Sequence, residues 1–228
     1  MSILIVVAHP DDEVLGCGGT AAKFAAAGKS VRSCILSGEA DARLHRPELV
    51  DLQKHLNQAQ EVLGLGAPIT ASFPNIQLNT VPHLELVQFI ESAIEDSGAD
   101  TVFTHHPSDI NDDHRHTSMA CQAAVRLFQR REGINPLKGL YFMEILSSTD
   151  WTFPATDTFR ADAFVELGEE YLNKKIEALA TYEGVMRPFP HPRSPEVMKG
   201  HAAYRGGQAG MFYAEAFQTA FHAISRNS

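Results

Sequence analysis

The chain has 228 residues, 44% of them hydrophobic, with 19 basic residues against 28 acidic ones and a formal charge of −9 at pH 7. That balance argues against a nucleic-acid backbone as partner, and no apolar run approaches the ~20 residues that cross a bilayer. One sizeable core accommodates the whole length, so residues 1–228 are read as a single domain. Cys17, Cys34 and Cys121 are few, odd in number and scattered. They read as reduced thiols in a cytoplasmic protein, not as a disulfide framework, and no signal-peptide pattern precedes the first strand.

Residues 3–7 form an unbroken apolar run, β-branched but for Leu4, which predicts a strand buried in the middle of a parallel sheet. His9, Pro10, Asp11, Asp12 and Glu13 follow at once, Pro10 stiffening the turn. Gly16, Gly18, Gly19 and Thr20 then lead into a helix over 20–27 that Gly28 stops. A second strand is predicted over 31–36. The polar stretch 40–46 after it reads as a loop at the same edge of the sheet. It carries Arg43 and Arg46, either of which can meet a substrate hydroxyl or phosphate or stand as a solvated charge. Pro47 opens a helix to Leu63, with Leu49, Leu52, Leu56, Ala59 and Leu63 at helical spacing. A strand over 69–73, a loop over 74–82 and an amphipathic helix ending near Gly98 come next, then a strand over 101–104. Beyond residues 105–116 the pattern predicts a helix from 117 to about 130, strands over 138–146 and 163–167, and a helix over 171–182. The last forty residues are the least regular. The alternation of strand and helix implies an α/β fold with a largely parallel sheet, whose ligands collect at the carboxyl ends of the strands.

Two clusters stand just beyond such ends. His9 and Asp12 are three apart, so a tight turn aims both at one point, and they offer two of the usual donors to zinc. Asp11 is then placed to take a proton from water beside the metal; its bland alternative is a cap on the following helix. The second cluster, His105 to His116, holds four histidines and three aspartates in twelve residues. A third nitrogen ligand from this segment completes a His-Asp-His site with one position open. His105, His106 and His116 read as loop or supporting histidines, His106 being the one placed to face a pocket. Asp109 and Asp112 also read as turn formers. Such a set suits amide hydrolysis, which needs an activated water, a Lewis acid for the developing oxyanion and a proton for the leaving amine. No Gly-x-Ser-x-Gly elbow or cysteine motif offers another nucleophile.

The run Ala8-His9-Pro10-Asp11-Asp12-Glu13, with the later His106-Pro107-Ser108-Asp109-Ile110-Asn111-Asp112-Asp113-His114, resembles the PIG-L (LmbE-like) zinc-dependent de-N-acetylases. The likeness extends to Glu144 with Ser147-Ser148-Thr149, to His191-Pro192-Arg193-Ser194, to Arg205-Gly206 and to Ala214-Glu215-Ala216-Phe217. It implies a Rossmann-like three-layer sandwich holding one Zn2+ per chain, although such a donor set also accepts Fe2+ or another divalent ion. It implies His9, Asp12 and His114 as ligands, Asp11 as general base, and Asp113 as the acidic group that orients a neighbouring imidazole. The substrate it implies is a small-molecule N-acetyl sugar or sugar conjugate, and relatives of this kind often form homo-oligomers. Asn111 departs from the pattern, because some relatives carry a histidine there. Asn111 cannot shuttle a proton, so it is left to hydrogen-bond substrate, and protonation of the amine passes to Asp11 or to another imidazole such as His191. His191 and Arg193, in a proline-stiffened segment, are expected at the pocket. Arg205 is a further candidate for substrate, with Glu215 as its partner. Two rivals are kept: a mononuclear or dinuclear metal phosphoesterase, and a non-catalytic Rossmann-like binding module. Against the latter, no Gly-x-Gly-x-x-Gly turn follows the first strand.

Overall fold

The computed structural model describes residues 1–38, 49–153 and 157–224. The first apolar run forms β1 (Ser2–Val7), buried from Ile3 onward. Its side chains alternate as strand geometry requires: Ile3, Ile5 and Val7 enter one core, Leu4 and Val6 the other. β1 pairs in parallel with β2 (Ser30–Ile35) on one side and β4 (Thr101–His105) on the other. β3 (Ile69–Thr70) lies outside β2, and β5 (Gly139–Met143) outside β4, both parallel. Beyond β5 comes β7 (Ala214–His222), antiparallel, and then β6 (Ala163–Glu166) at the edge, antiparallel to β7. The order is β3-β2-β1-β4-β5-β7-β6.

Helices cover both faces. α1 (Asp12–Ala26), α2 (Leu49–Leu63) and α5 (Gly168–Ala180) share the core with Ile3, Ile5 and Val7. α3 (His83–Ser97) and α4 (Asp112–Ala124) share the one with Leu4 and Val6. α6 (Pro195–Ala209) packs beside β6 and β7. From β1 the chain adds β2 in one direction and β4 in the other, so the carboxyl ends of β1 and β4 flank a topological switch point, where open α/β sheets bind ligands. Both His/Asp clusters leave from there.

Several elements differ from their predicted bounds. α1 begins at Asp12, not at residue 20. Its glycines do not precede the helix but permit its close packing: a Cβ on Gly16 would sit 2.7 Å from Ile145 Cδ1, and one on Gly19 2.6 Å from Leu167 Cδ1. α4 likewise begins at Asp112, bringing Asp113 and His114 into its first turn. It gives way at Ala124 to a 3-10 turn over Val125–Gln129. The strands expected over 69–73 and 138–146 shorten to two and five residues. The final forty residues hold a fifteen-residue helix and a nine-residue strand, contrary to their irregular reading. Among the described residues no helix is long and apolar enough to cross a membrane, and Cys17, Cys34 and Cys121 are free and buried. Arg43 and Arg46 lie outside the described residues.

Candidate metal centre

Short connections from β1 and β4 bring His9, Asp12 and His114 together, with one ligand atom of each within 4.8 Å of the others. Asp12 Oδ2 lies 3.2 Å from His9 Nδ1 and 3.2 Å from His114 Nε2. The outward nitrogen of each ring meets a buried carboxylate. His9 Nε2 donates to Asp113 Oδ2 at 2.9 Å, and His114 Nδ1 stands 3.2 Å from Asp109 Oδ2. Asp113 also accepts the Ile76 and Leu78 N–H groups at 2.7 and 2.9 Å, which ties the cluster to the connection before α3. Asp109 is fully buried and accepts from the Ser148 hydroxyl, from Thr149 Oγ1 at 2.7 Å and from the Asn111 N–H at 2.9 Å. Two imidazoles and a carboxylate, their far nitrogens fixed by acids, fit a divalent ion in donor type and arrangement.

The electrostatics point the same way. Burial opposes charge on His114, but Asp12 and then Asp109 outweigh it and push the ring up to about 10. Burial likewise opposes charge on Asp12, which the facing His114 and His9 nevertheless hold well below the usual carboxylate range. This centre of buried acids therefore stabilises positive charge. His105 stands apart: burial and then His114 press it down to about 3. Its neutral ring stacks on His114 at 3.8 Å, and its Nε2 accepts the Ala8 N–H at 2.9 Å. His105, Asp109 and His114 form a second metal-like group. It shares His114 with the first, and its Asp109 and His105 Nε2 already accept hydrogen bonds, while His105 Nδ1 is buried without a partner.

Asp11 is buried, and its backbone occupies the left-handed region at φ 107°. Its side chain makes no capping bond to α1, so the cap alternative is not met. Arg193 Nη1 lies 3.7 Å from Asp11 Oδ2, and Arg193 Nε donates to Ser147 Oγ at 3.0 Å. His191 is exposed, and its Nδ1 accepts the Arg193 N–H at 3.0 Å. His191 and Arg193 line a cavity of about 280 Å³ with Arg187, Ser147, Gly184 and Val185.

Other candidates have partners within the fold. Asn111 caps α4, its Oδ1 accepting the Asp113 N–H at 2.9 Å. His106 is fully buried, with Nε2 3.2 Å from Gln218 Oε1 and Nδ1 accepting the Ser108 N–H. Both ring nitrogens are engaged within the fold. Arg205 Nε and Nη2 donate to the two oxygens of Glu144 at 2.6 and 2.5 Å, and its Nη1 donates to Gln208 Oε1 at 2.8 Å, so its guanidinium is engaged within the fold. Glu215 pairs instead with Lys175 Nζ at 2.6 Å and accepts the Gly19 and Thr20 N–H groups of α1. Asp109, expected as a turn former, is also the acid behind His114; the signal for that role was its place just after β4 among the other acids.

The Arg205–Glu144 pair is structural and can be tested as such. Both side chains are about one-seventh exposed, at 14% and 15%. Arg205→Ala is expected to lower the unfolding free energy by ~2 kcal/mol at pH 7, since it removes two charged hydrogen bonds and leaves a partly buried carboxylate with His201 as its partner. Burial works against charge on Glu144, but His201 and Arg205 hold its carboxyl below the ordinary value of 4.5. A depressed carboxyl stabilises the fold above its unfolded value, and that contribution vanishes as pH falls through the folded value. Urea denaturation of wild type and variant should therefore show a gap that closes in acid.

An α/β sandwich with a His-Asp-His cluster at the switch point of its parallel strands sets the class of this protein. A family model described as GlcNAc-PI de-N-acetylase (PIG-L) matches residues 4–125, more than half of the chain, and the chain belongs to that family. The match spans β1 to α4 and includes every residue of the cluster. The uncharacterized deacetylase YaiS of Escherichia coli (strain K12) is 26% identical over 190 residues, covering 79% of this chain and 90% of that protein. The conserved protein TT1542 of Thermus thermophilus superposes with a TM-score of 0.79 at 26% identity, over 99% of this chain and 97% of that one. The N,N'-diacetylchitobiose deacetylase of Pyrococcus horikoshii gives 0.76 at 18%, over 95% and 82%. GalB, the 4-carboxy-2-hydroxymuconate hydratase of Pseudomonas putida KT2440, gives 0.76 at 21%, over 100% of both chains. The last two show a common fold and no more.

Proposed function

We propose that this chain is a zinc-dependent hydrolase, acting as one catalytic domain, that removes an acetyl group from an N-acetylated amino sugar or sugar conjugate. The observation that carries the reading is the pair of carboxylate-backed imidazoles, Asp113–His9 and Asp109–His114, facing one Asp12 oxygen. The family's description as a de-N-acetylase and the deacetylase relative support the reaction. His9, Asp12 and His114 would hold the ion, which when bound supplies a Lewis acid for the amide carbonyl and acidifies water. Asp11 takes the proton of the attacking water as the carbonyl carbon becomes tetrahedral. The same carboxyl, now protonated, returns that proton to the nitrogen as the C–N bond breaks. His191, across the cavity beside Arg193, is the second candidate for this step. Arg193 orients Asp11 and the substrate, and Asn111, whose Oδ1 caps α4, offers its amide N–H to the substrate. The three buried thiols fit a reducing, cytoplasmic setting.

The test joins two measurements on the purified protein: metal content, and amine release from a panel of N-acetyl sugars and their conjugates. About one ion per chain and amine release abolished by a chelator are expected. Metal with no amine release, but with hydrolysis of phosphate esters, would replace the deacetylase by the phosphoesterase reading. A metal-free protein active on any of these substrates would overturn the centre itself.

A further inference from the structure

Directly beneath Asp11 lies a buried carboxylate that the chemistry above does not use. Glu13 is fully buried. Its Oε2 accepts the Asp11 N–H at 3.0 Å. Its Oε1 receives the Tyr182 hydroxyl at 2.5 Å and the Gln60 amide at 3.3 Å. Gln60 is held in turn by the Ser33 hydroxyl, which donates to its Oε1 at 2.9 Å. Side chains from α2 and from the turn after α5 thus converge on one carboxylate, whose other oxygen reaches the backbone of Asp11. Gln60, Tyr182 and Ser33 are each no more than 3% exposed.

That backbone is where the strain lies. A residue other than glycine held at φ 107° costs ~1–3 kcal/mol and persists only when its surroundings over-determine it. The Asp11 N–H precedes the first turn of α1, so no helical carbonyl is in register to receive it. We infer that Glu13 is a positioning residue: fixed by Tyr182 and Gln60, its carboxylate holds the Asp11 N–H and with it the left-handed backbone that sets where the Asp11 carboxylate stands. The inference rests on Asp11 as general base for its kinetic consequence, but not for its structural one. A positional error of about 1 Å in a catalytic group costs on the order of 100-fold in rate. The acceptor matters here more than the charge, so glutamine at position 13 retains an oxygen for Asp11, whereas methionine, of similar length, removes the oxygens that the Asp11 N–H, Tyr182 and Gln60 reach.

Glu13→Met and Glu13→Gln separate these cases. Glu13→Met is expected to lower kcat about 100-fold with KM and metal content close to wild type, and Glu13→Gln to restore most of the rate. Adding Glu13→Met to Asp11→Asn should slow the enzyme no further, because Glu13 acts through Asp11. Full additivity, or equal loss in the two Glu13 variants, would overturn the inference. A crystal structure of Glu13→Met should show residue 11 outside the left-handed region; an unchanged positive φ would also sink it. This last readout decides even if wild type releases amine from no N-acetyl substrate, an outcome that removes the deacetylase reading alone. If Glu13→Met does not fold, Tyr182→Phe deletes one bond to Glu13, and its crystal structure and kcat carry the same comparison.

Discussion

Asp11→Asn is expected to lower kcat for amine release about 1,000-fold, within the range that general base catalysis supplies, while metal content stays near one ion per chain. Asparagine is nearly isosteric with aspartate and tolerates positive φ better than most residues, so the turn between His9 and α1 should survive. What it cannot do is accept a proton from water at neutral pH. The hydrogen bond to the Glu13 carboxylate comes from the backbone N–H of residue 11 and is unaffected. His9, Asp12 and His114 keep their mutual geometry, since Asp11 supplies none of the atoms that converge there. Arg193 Nη1, 3.7 Å from Asp11 Oδ2, loses a charge partner at long range, a small change in stability. Steady-state kinetics and metal analysis on one preparation check both halves. Loss of the metal would make Asp11 a ligand; unchanged kcat would remove it as the base.

How far such a site is legible in a sequence depends on whether its determinants are local. His9, Asp11 and Asp12 follow an apolar run that can only be a buried strand, so their place at a strand end is written in adjacent residues. His114 is as visible, one of four histidines after the next such strand. The partners of these groups are not local. Asp109 acts through Ser148 and Thr149, forty residues on and across β5. Arg205 and Glu144 are 61 residues apart, and neither names the other. Glu13 looked like a third carboxylate of the motif, but its role comes from Gln60 on α2 and Tyr182 just beyond α5.

The C-terminal elements were obscured differently. α6 contains Gly200, Gly206 and Gly207, and its apolar stripe is faint. Its start was nonetheless signalled by Ser194, whose Oγ accepts the Val197 N–H at 3.3 Å, and by Pro195 at the first helical position. Gly206 is required because a Cβ there would meet the Met211 carbonyl oxygen at 2.6 Å, where the chain turns toward β7. β7 buries Ala214, Glu215, Ala216 and Phe217 in succession. A strand with both faces covered and a charged residue among them shows no alternation of polar and apolar positions.

His114→Ala is expected to abolish metal binding and to destabilise the fold by ~3–5 kcal/mol, the cost of breaking a buried ionic group by removing one member. Asp12 and Asp109 are 2% and 0% exposed, and each meets the His114 ring at 3.2 Å. Without it, Asp12 keeps His9 as its near partner, while Asp109 keeps hydroxyl and backbone donors but no facing positive group. Metal analysis should find far less than one ion per chain, and thermal or urea denaturation should report the instability whether or not metal is supplied. The apo proteins matter most in this comparison, because an ion that binds only the folded chain adds its own stabilisation to wild type alone. A His114→Ala protein that stayed fully loaded would need another nitrogen at the centre. The nearest is His105 Nε2, 3.6 Å from Asp12 Oδ2. That atom already accepts the Ala8 N–H, so ligation through it would strand a buried backbone donor at the end of β1. Full occupancy through that nitrogen would therefore have to come with a rearranged strand end, whereas loss of the metal makes His114 the third ligand.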